Sequence, residues 1–292
     1  MFAMQQEKTP GATPTLAEAL AARARIARSI RAFFDERGFV EVTTPVMIAA
    51  PAPEPHIDCP PCEGKFLRAS PELQMKKLLA AGMDRIYQIG PCFRAGERGS
   101  RHNPEFTMLE WYRARATYRT IERDMRELLA ALLPGDPARA AASGASICEM
   151  YGKYAGWNPF SEWDQDRFDY DMATKIEPNL PSGFVFLADY PRGAASLAKM
   201  RGEVAERWEL YYNGIELANC FTELCDADEQ RRRFLDAREE RRRLGESDYP
   251  IDDEFIDSLP LVKSAAGVAV GIDRLVMALC GTADIHSVMA GE

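Results

Sequence analysis

The chain has 292 residues, 46% of them apolar, and 36 lysines and arginines against 45 aspartates and glutamates, a net charge of −9. That is apolar material for one large domain or two ordinary ones, and the negative balance has the wrong sign for a protein whose main partner is a nucleic-acid backbone. No apolar run approaches bilayer length, residues 1–14 lack the apolar stretch of a signal peptide, and the seven scattered cysteines suggest no disulfide framework, so the expectation is a cytoplasmic protein with reduced thiols and no membrane partner.

Thr15-Leu-Ala-Glu18 is a capping box, and the apolar stripe behind it predicts a long amphipathic helix that stops at Gly38. Phe39-Val-Glu-Val42 reads as a strand cut off at Thr44-Pro45. Cys59-Pro-Pro-Cys62 is the cysteine pair with motif spacing, but it lacks the second ligand pair of a zinc site and the helix of a redox dithiol, and reads as an ordinary loop. Ser70-Pro71-Glu72 places a cap, a first-turn proline and a first-turn acid at the head of a helix running to about Gly82.

Residues 86–94 and 105–113 predict two strands of a hairpin. A polar loop with Gly96, Gly99 and Asn103-Pro104 joins them, and Phe106, Met108, Glu110 and Tyr112 share one face of the second strand. Residues 118–133 read as a helix and 134–182 as loops and short helices. A strand is expected over 184–187, and residues 206–223 hold a hairpin turning at Asn213-Gly214. The arginine-rich stretch 226–244, with acids at helical spacing, predicts a helix with a solvated, salt-bridged face. Residues 267–271 form a strand feeding a helix that starts near Ile272. Irregular mixing and frequent hairpins favour an α+β fold with a mostly antiparallel sheet flanked by helices, and neither GxxxxGK[ST] nor GxGxxG occurs.

A two-residue turn at Asn213-Gly214 sets Tyr211 opposite Glu216 and Glu209 opposite Ala218. Glu209 and Glu216 then lie diagonally on one side of the ribbon, roughly 7 Å or less apart at Cβ. Paired hard carboxylates suit Mg²⁺, and solvent-facing glutamates are the plainer alternative. Asn219 and Glu223 fall on the opposite parity and join the same site only if a bulge lies near Ala218. Gly271-Ile-Asp-Arg274 sits at a strand-to-helix junction, where backbone N–H groups and an arginine hold anionic phosphate.

Together these segments resemble the three signature motifs of the class II aminoacyl-tRNA synthetases. Residues 25–45 resemble motif 1, Phe93-Arg94 through Tyr112 motif 2, and residues 267–274 with the following helix motif 3. Arg-His-Asn-Pro-Glu-Phe-Thr-Met-Leu-Glu-Trp-Tyr and Ile-Glu-Leu-Ala-Asn are lysyl-type sequences. The resemblance covers the chain from about residue 16 onward. It implies a single catalytic domain over 15–292, preceded by a flexible segment 1–14, and a homodimer built through the motif 1 region.

It also implies that Arg94 grips the α-phosphate of ATP, that His102 and Arg274 hold the distal phosphates, and that Phe106 stacks on adenine beside Asn103. Leu217 and Gly271 fall with the ATP site, and Glu209 and Glu216 match the Mg²⁺-binding acids. Glu72, beside Ser70, matches the contact to the substrate's α-amine. Glu110, Tyr112, Asn219 and Glu223 match the pocket for its distal ammonium. The loop begins Phe-Arg-Ala-Gly-Glu where the family has Phe-Arg-Asn-Glu, so Glu97 takes the adenine-side place one residue late.

Motif 1 starts too early for an anticodon-binding domain ahead of it, and little follows motif 3, so tRNA is not the expected acceptor. Such a core resembles the lysyl-type ligases that activate (R)-β-lysine, or lysine, and pass it to a lysine side chain of elongation factor P. Ala269, where lysyl-tRNA synthetases carry glycine, supports that branch. The alternatives are a truncated lysyl-tRNA synthetase, a tRNA-independent lysyl-adenylate former, or a non-catalytic adenylate-binding regulator.

Overall fold

The structure is a computed structural model that describes residues 14–291. The expected flexible segment, apart from Pro14, lies outside the described residues. Helix α1 (Leu16–Asp35) starts on its capping box: the Thr15 N–H donates to the Glu18 carboxylate at 2.8 Å, and the Glu18 N–H donates back to Thr15 Oγ1. Gly38, at φ +69°, turns the chain away beyond the helix end.

There follow β1 (Val40–Glu41), β2 (Met47–Ile48), β3 (Pro61–Cys62), β4 (Lys65–Leu67), α2 (Glu72–Ala80), β5 (Arg85–Phe93), β6 (Glu105–Ala114), α3 (Tyr118–Leu132), α4 (Pro137–Ala140), β7 (Ala142–Ser146) and α5 (Ile147–Met150). The chain continues through α6 (Gln165–Asp171), β8 (Phe184–Pro191), β9 (Met200–Arg201), β10 (Val204–Tyr212), β11 (Ile215–Thr222), α7 (Ala227–Leu244), α8 (Asp253–Val262), β12 (Ala265–Gly271) and α9 (Ile272–Cys280).

Among the described residues, one sheet runs in the order β1-β5-β6-β12-β11-β10-β8-β7, with β9 on β10. Its edge pairs, β1–β5 and β7–β8, are parallel and the pairs between them antiparallel, as expected for this α+β fold. The two faces differ because strand side chains alternate. Leu109, Trp111, Val268, Val270, Ala218, Cys220, Trp208 and Leu210 point to one side and pack with Ile30 and Phe34 of α1, Leu128 of α3 and Val276 of α9. Burying each large side chain there stabilises by roughly 1.5–3 kcal/mol.

The other face carries the chemistry. Glu110 of β6, Ala269 of β12, Asn219 of β11 and Glu209 of β10 lie in one row across the sheet, with Tyr112, Gly267, Phe221 and Arg207 in the next. Glu209 pairs with Asn219, not with Ala218 as an unbulged hairpin gives, because β11 carries one extra residue, Leu217, between the pairs Tyr211–Glu216 and Leu210–Ala218. This is the bulge that the parity of Asn219 and Glu223 requires. Without it both side chains would turn toward the helical core.

Three sequence expectations need correction. Residues 134–182 are not only loops and short helices: β7 pairs in parallel with β8 inside that stretch. Its sequence, Ala-Ser-Gly-Ala-Ser, has no branched or aromatic residue to signal a strand. Helix α8 was not anticipated, since Pro260 lies inside it. The salt-bridged face of α7 holds at Arg242–Glu239 and Arg243–Glu240 but fails at Arg241, which is fully buried. Arg241 donates to the carbonyls of Glu54, at 2.7 Å, and Ile57, at 2.9 Å, and pairs with Asp58.

That arginine fixes loop 54–58 against the start of the motif 2 loop, where the Ala95 N–H donates to the Asp58 carbonyl at 2.8 Å. In the neighbouring Cys59-Pro-Pro-Cys62 turn both thiols are free, and burial pushes the Cys59 thiol up to about 11. Its sulfur is therefore held in the unreactive thiol form.

Candidate active site

A cavity of about 340 Å³ opens on the polar face of the sheet. Of the residues nominated from the sequence, all but Glu110 line it. It has a closed end rich in buried acids and an open end where arginines and acids are part-exposed.

At the closed end, Glu110 is completely buried behind the wall. Its two oxygens accept from the Ser70 hydroxyl at 2.6 Å and the Tyr112 hydroxyl at 2.8 Å. Glu110 was expected to meet the substrate ammonium directly. The side chain lies under the two hydroxyls that face the cavity, and orients them. Burial and the nearby Glu72 push its carboxyl up to about 7. Glu223, also buried, lines the cavity, and burial pushes it up to about 8, with Glu72 and Glu110 adding to the rise. Ser70 also accepts from the Glu72 N–H at 3.0 Å, so one hydroxyl ties the head of α2 to β6.

The Tyr112 ring lies flat on Gly267, its partner in register. A Cβ at Gly267 would stand 2.2 Å from the ring. Glycine is required there, and the first glycine of motif 3 carried that signal. Asn219, expected with the pocket for the distal ammonium, lines the cavity. Arg207 Nε donates to Asn219 Oδ1 at 3.1 Å, and because arginine has no acceptor this fixes which amide atom it meets. Asn219 retains its N–H₂ as a donor and a second lone pair on Oδ1 as an acceptor.

At the open end, Arg94 stands 5.2 Å above the Phe106 ring and 3.6 Å from Glu97. Its Nε is buried and has no hydrogen-bond partner, which calls for an anion. Asn103 is pinned by its own N–H₂, which donates to the Glu105 carbonyl at 2.6 Å. Arg274 donates to the carbonyls of Arg101 and Glu216, both at 3.1 Å, and to His102 Nε2 at 2.7 Å. That contact makes Nε2 an acceptor, so the ring is neutral, in keeping with a pKa lowered by burial and by Arg274. His102 therefore offers a distal phosphate an N–H at Nδ1 but no charge.

Glu209 and Glu216 lie on the same face, as expected, but differ in their partners. Glu209 Oε1 accepts from Arg207, and Oε2 accepts from Tyr190 at 2.5 Å and Tyr211 at 2.7 Å. Glu216 has a single long ion pair, to Arg274 at 3.9 Å, with Arg207 and Arg94 acting from further off; desolvation within the cleft and the nearby Glu209 push its carboxyl up to about 7, although the side chain remains part-exposed. A divalent cation fits Glu216, where it would relieve an under-compensated charge, with Glu209 beside it as a rigidly oriented second acid. Among the described residues no cluster of three or more acidic, histidine or cysteine side chains could hold a metal without help from a ligand.

Three further residues in or around the cavity escaped the sequence reading. Arg207 spans Glu209 and Asn219, and its place two residues before Glu209 on the same strand face would have revealed it. Glu54 lines the cavity from the anchored loop, and no motif signals it. Lys76 is 1% exposed and pairs with both Glu72 and Glu223. Its spacing of four from Glu72 carried that signal.

The fold and the cavity together define an enzyme of the class II synthetase type. The chain belongs to the family described as tRNA synthetases class II (D, K and N), whose model matches residues 9–290. Among its curated relatives are several named elongation factor P–(R)-β-lysine ligase. The protein of that name from Histophilus somni (strain 2336) is 37% identical, over 93% of this chain and 94% of its own length. Those from Pasteurella multocida (strain Pm70), at 36% over 94% of each chain, and Vibrio atlanticus (strain LGP32), at 37% over 92% and 93%, are similar.

Proposed function

We propose that this protein activates (R)-β-lysine with ATP as an acyl-adenylate and transfers the acyl group to a lysine side chain of elongation factor P. The observation that carries this reading is the polarity of one cavity: acids converge at its closed end, and an arginine with an unpartnered buried N–H waits at its open end. The names of the relatives supply the acceptor.

In the first step the substrate carboxylate attacks the α-phosphorus of ATP and pyrophosphate leaves, so no side-chain nucleophile is needed. Arg94 neutralises charge on the α-phosphate as it develops, and Arg274 with the His102 N–H holds the departing pyrophosphate. Phe106 offers its ring to adenine, with Asn103 and Glu97 at its edge and Leu217 and Gly271 along the nucleotide. Glu216 and Glu209 would hold Mg²⁺, which when bound polarises phosphate oxygens. In the second step the unprotonated amine of the acceptor lysine attacks the acyl carbon and AMP leaves.

Glu72 and Glu223 receive the two ammonium groups, through charge-assisted hydrogen bonds with Ser70 and Tyr112 alongside. Asn219, whose Oδ1 keeps a lone pair, lies with the pocket for the distal ammonium. Ala269, in register between Glu110 and Asn219, places a methyl group on the pocket wall where it shapes the space around the shifted amine of a β-amino acid. A change of this size is worth about 1–3 kcal/mol of discrimination.

The proposal includes one catalytic domain over residues 15–292 and a cytoplasmic location. It also includes a homodimer through α1 and the strands after it, where Leu16, Val40 and Met47 are exposed. Among the described residues no helix is long and apolar enough to cross a membrane. ATP–pyrophosphate exchange tests the first step: (R)-β-lysine is expected to support it better than α-lysine. Exchange with neither isomer contradicts the reading, and efficient charging of tRNA-Lys with no modification of elongation factor P would replace it with that of a lysyl-tRNA synthetase.

A further inference from the structure

Behind the closed end of the cavity lies an ammonium group that belongs to the chain itself. Lys76, on the inner side of α2, pairs with Glu72 one turn before it on the same helix and places Nζ 2.5 Å from Glu223 Oε2. That buried oxygen thus has the Lys76 charge directly beside it. The two acids are the ones that face the cavity on either side of the amine pocket.

A buried lysine tends to lose its proton. Burial does oppose the charge on Lys76, but Glu223 and Glu72 outweigh it and hold the ammonium well above its ordinary pKa. The converse holds for the acids. Around them stand Glu110 and Tyr112 from β6, Glu54 from the anchored loop, and Arg68, whose charge acts on Glu110. Lys76 is the cation that acts on Glu223 in this set. A carboxylate as buried as Glu223 and as close to further acids takes up a proton more readily without that cation, and a neutral acid does not hold an ammonium ion.

We propose that Lys76 is a positioning residue, the resident counter-cation of the amine pocket, which favours the ionised form of Glu223 and keeps Glu223 and Glu72 aimed at the site before any amino acid enters. This rests on the amino-acid-activating reading given above. The substrate ammonium groups then bind to prepared carboxylates, and Lys76 shares them without leaving. A lysine that merely fastened α2 to the end of β11 would affect stability or affinity equally at every pH.

Lys76→Met keeps the stem and removes the charge, and Lys76→Gln keeps a donor without the charge. The measurement is the Kd of (R)-β-lysine and of α-lysine by titration calorimetry between pH 6.5 and about 9.5, with ATP affinity as a control for the folded site. In both variants the pH at which amino-acid affinity is half developed is expected to rise by about one unit or more. The Kd at pH 7 should weaken about tenfold and the gap should close toward the alkaline limit, while ATP binding stays within about twofold. Lys76→Arg, which retains the charge, should keep the midpoint near that of the wild type. A loss that is uniform across pH, or an unchanged profile, overturns the proposal. Wild-type protein that binds neither isomer would instead defeat the functional reading itself.

Discussion

The closed and open ends of the cavity are built on opposite principles. At the closed end each charge already has a partner inside the protein: Glu110 under two hydroxyls, and Glu72 and Glu223 around Lys76, with Glu110, Glu223 and Lys76 buried and Glu72 half-buried. At the open end the pairings are long, 3.6 Å for Arg94–Glu97 and 3.9 Å for Arg274–Glu216, on side chains 23% to 40% exposed. Short, dry pairs hold a shape, and long, wet pairs are worth little and are readily exchanged for a ligand. The difference teaches that the amine end is pre-organised for one small cation-bearing group, whereas the phosphate end is completed by the nucleotide.

If the two ends are this distinct, mutations should separate them. Arg94→Ala is expected to have the largest effect, slowing ATP–pyrophosphate exchange by about 10³ while amino-acid binding measured by calorimetry stays within about threefold. An equal loss in both would break the comparison. Glu223→Gln should act from the other side, weakening amino-acid binding by about 2–3 kcal/mol, roughly 30- to 150-fold, with ATP affinity unchanged.

The pH dependence sharpens the contrast further. Glu110 and Glu223, at about 7 and about 8, hold protons well above the ordinary carboxylate range, and only their ionised forms favour an ammonium. The KM for the amino acid should therefore fall several-fold as pH rises from 6 to 9, while the KM for ATP changes less. Stability runs the other way. A carboxyl whose folded pKa lies above its unfolded value stabilises the fold at low pH and loses that contribution as pH rises through the folded pKa. The Tm of the free protein should fall between pH 6 and 9, and bound amino acid should restore it. The smallest expected effect is that of Glu97→Ala, about threefold on the KM for ATP, because this acid is part-exposed and loosely paired.

Sequence alone revealed the open end more fully than the closed one, for a physical reason. Arg94, His102, Phe106 and Arg274 sit in contiguous motifs whose strand and helix boundaries follow from glycine, proline and alternation. Hairpin parity went further and required the bulge that the extra residue Leu217 supplies. The closed end depends on contacts between elements far apart in the chain. Ser70 with Glu110 and Lys76 with Glu223 span 40 residues and more, and no local periodicity encodes them. Glu110 was thus expected in the cavity when it lies behind it, since alternation gives the face of a strand but not the depth of a side chain. Arg241 was expected in solvent for the same reason: helical spacing does not reveal which loop will cover a given turn.

The central claim is that the acyl-adenylate made in this cavity is delivered to a protein. Its most direct test is the intact mass of elongation factor P after incubation with this protein, ATP, Mg²⁺ and (R)-β-lysine, followed by peptide mapping of the modified lysine. The account predicts a gain of one β-lysyl group at a single lysine side chain, absent without ATP and absent with the Arg94→Ala variant. Unmodified elongation factor P under conditions where the same protein sustains pyrophosphate exchange would contradict it.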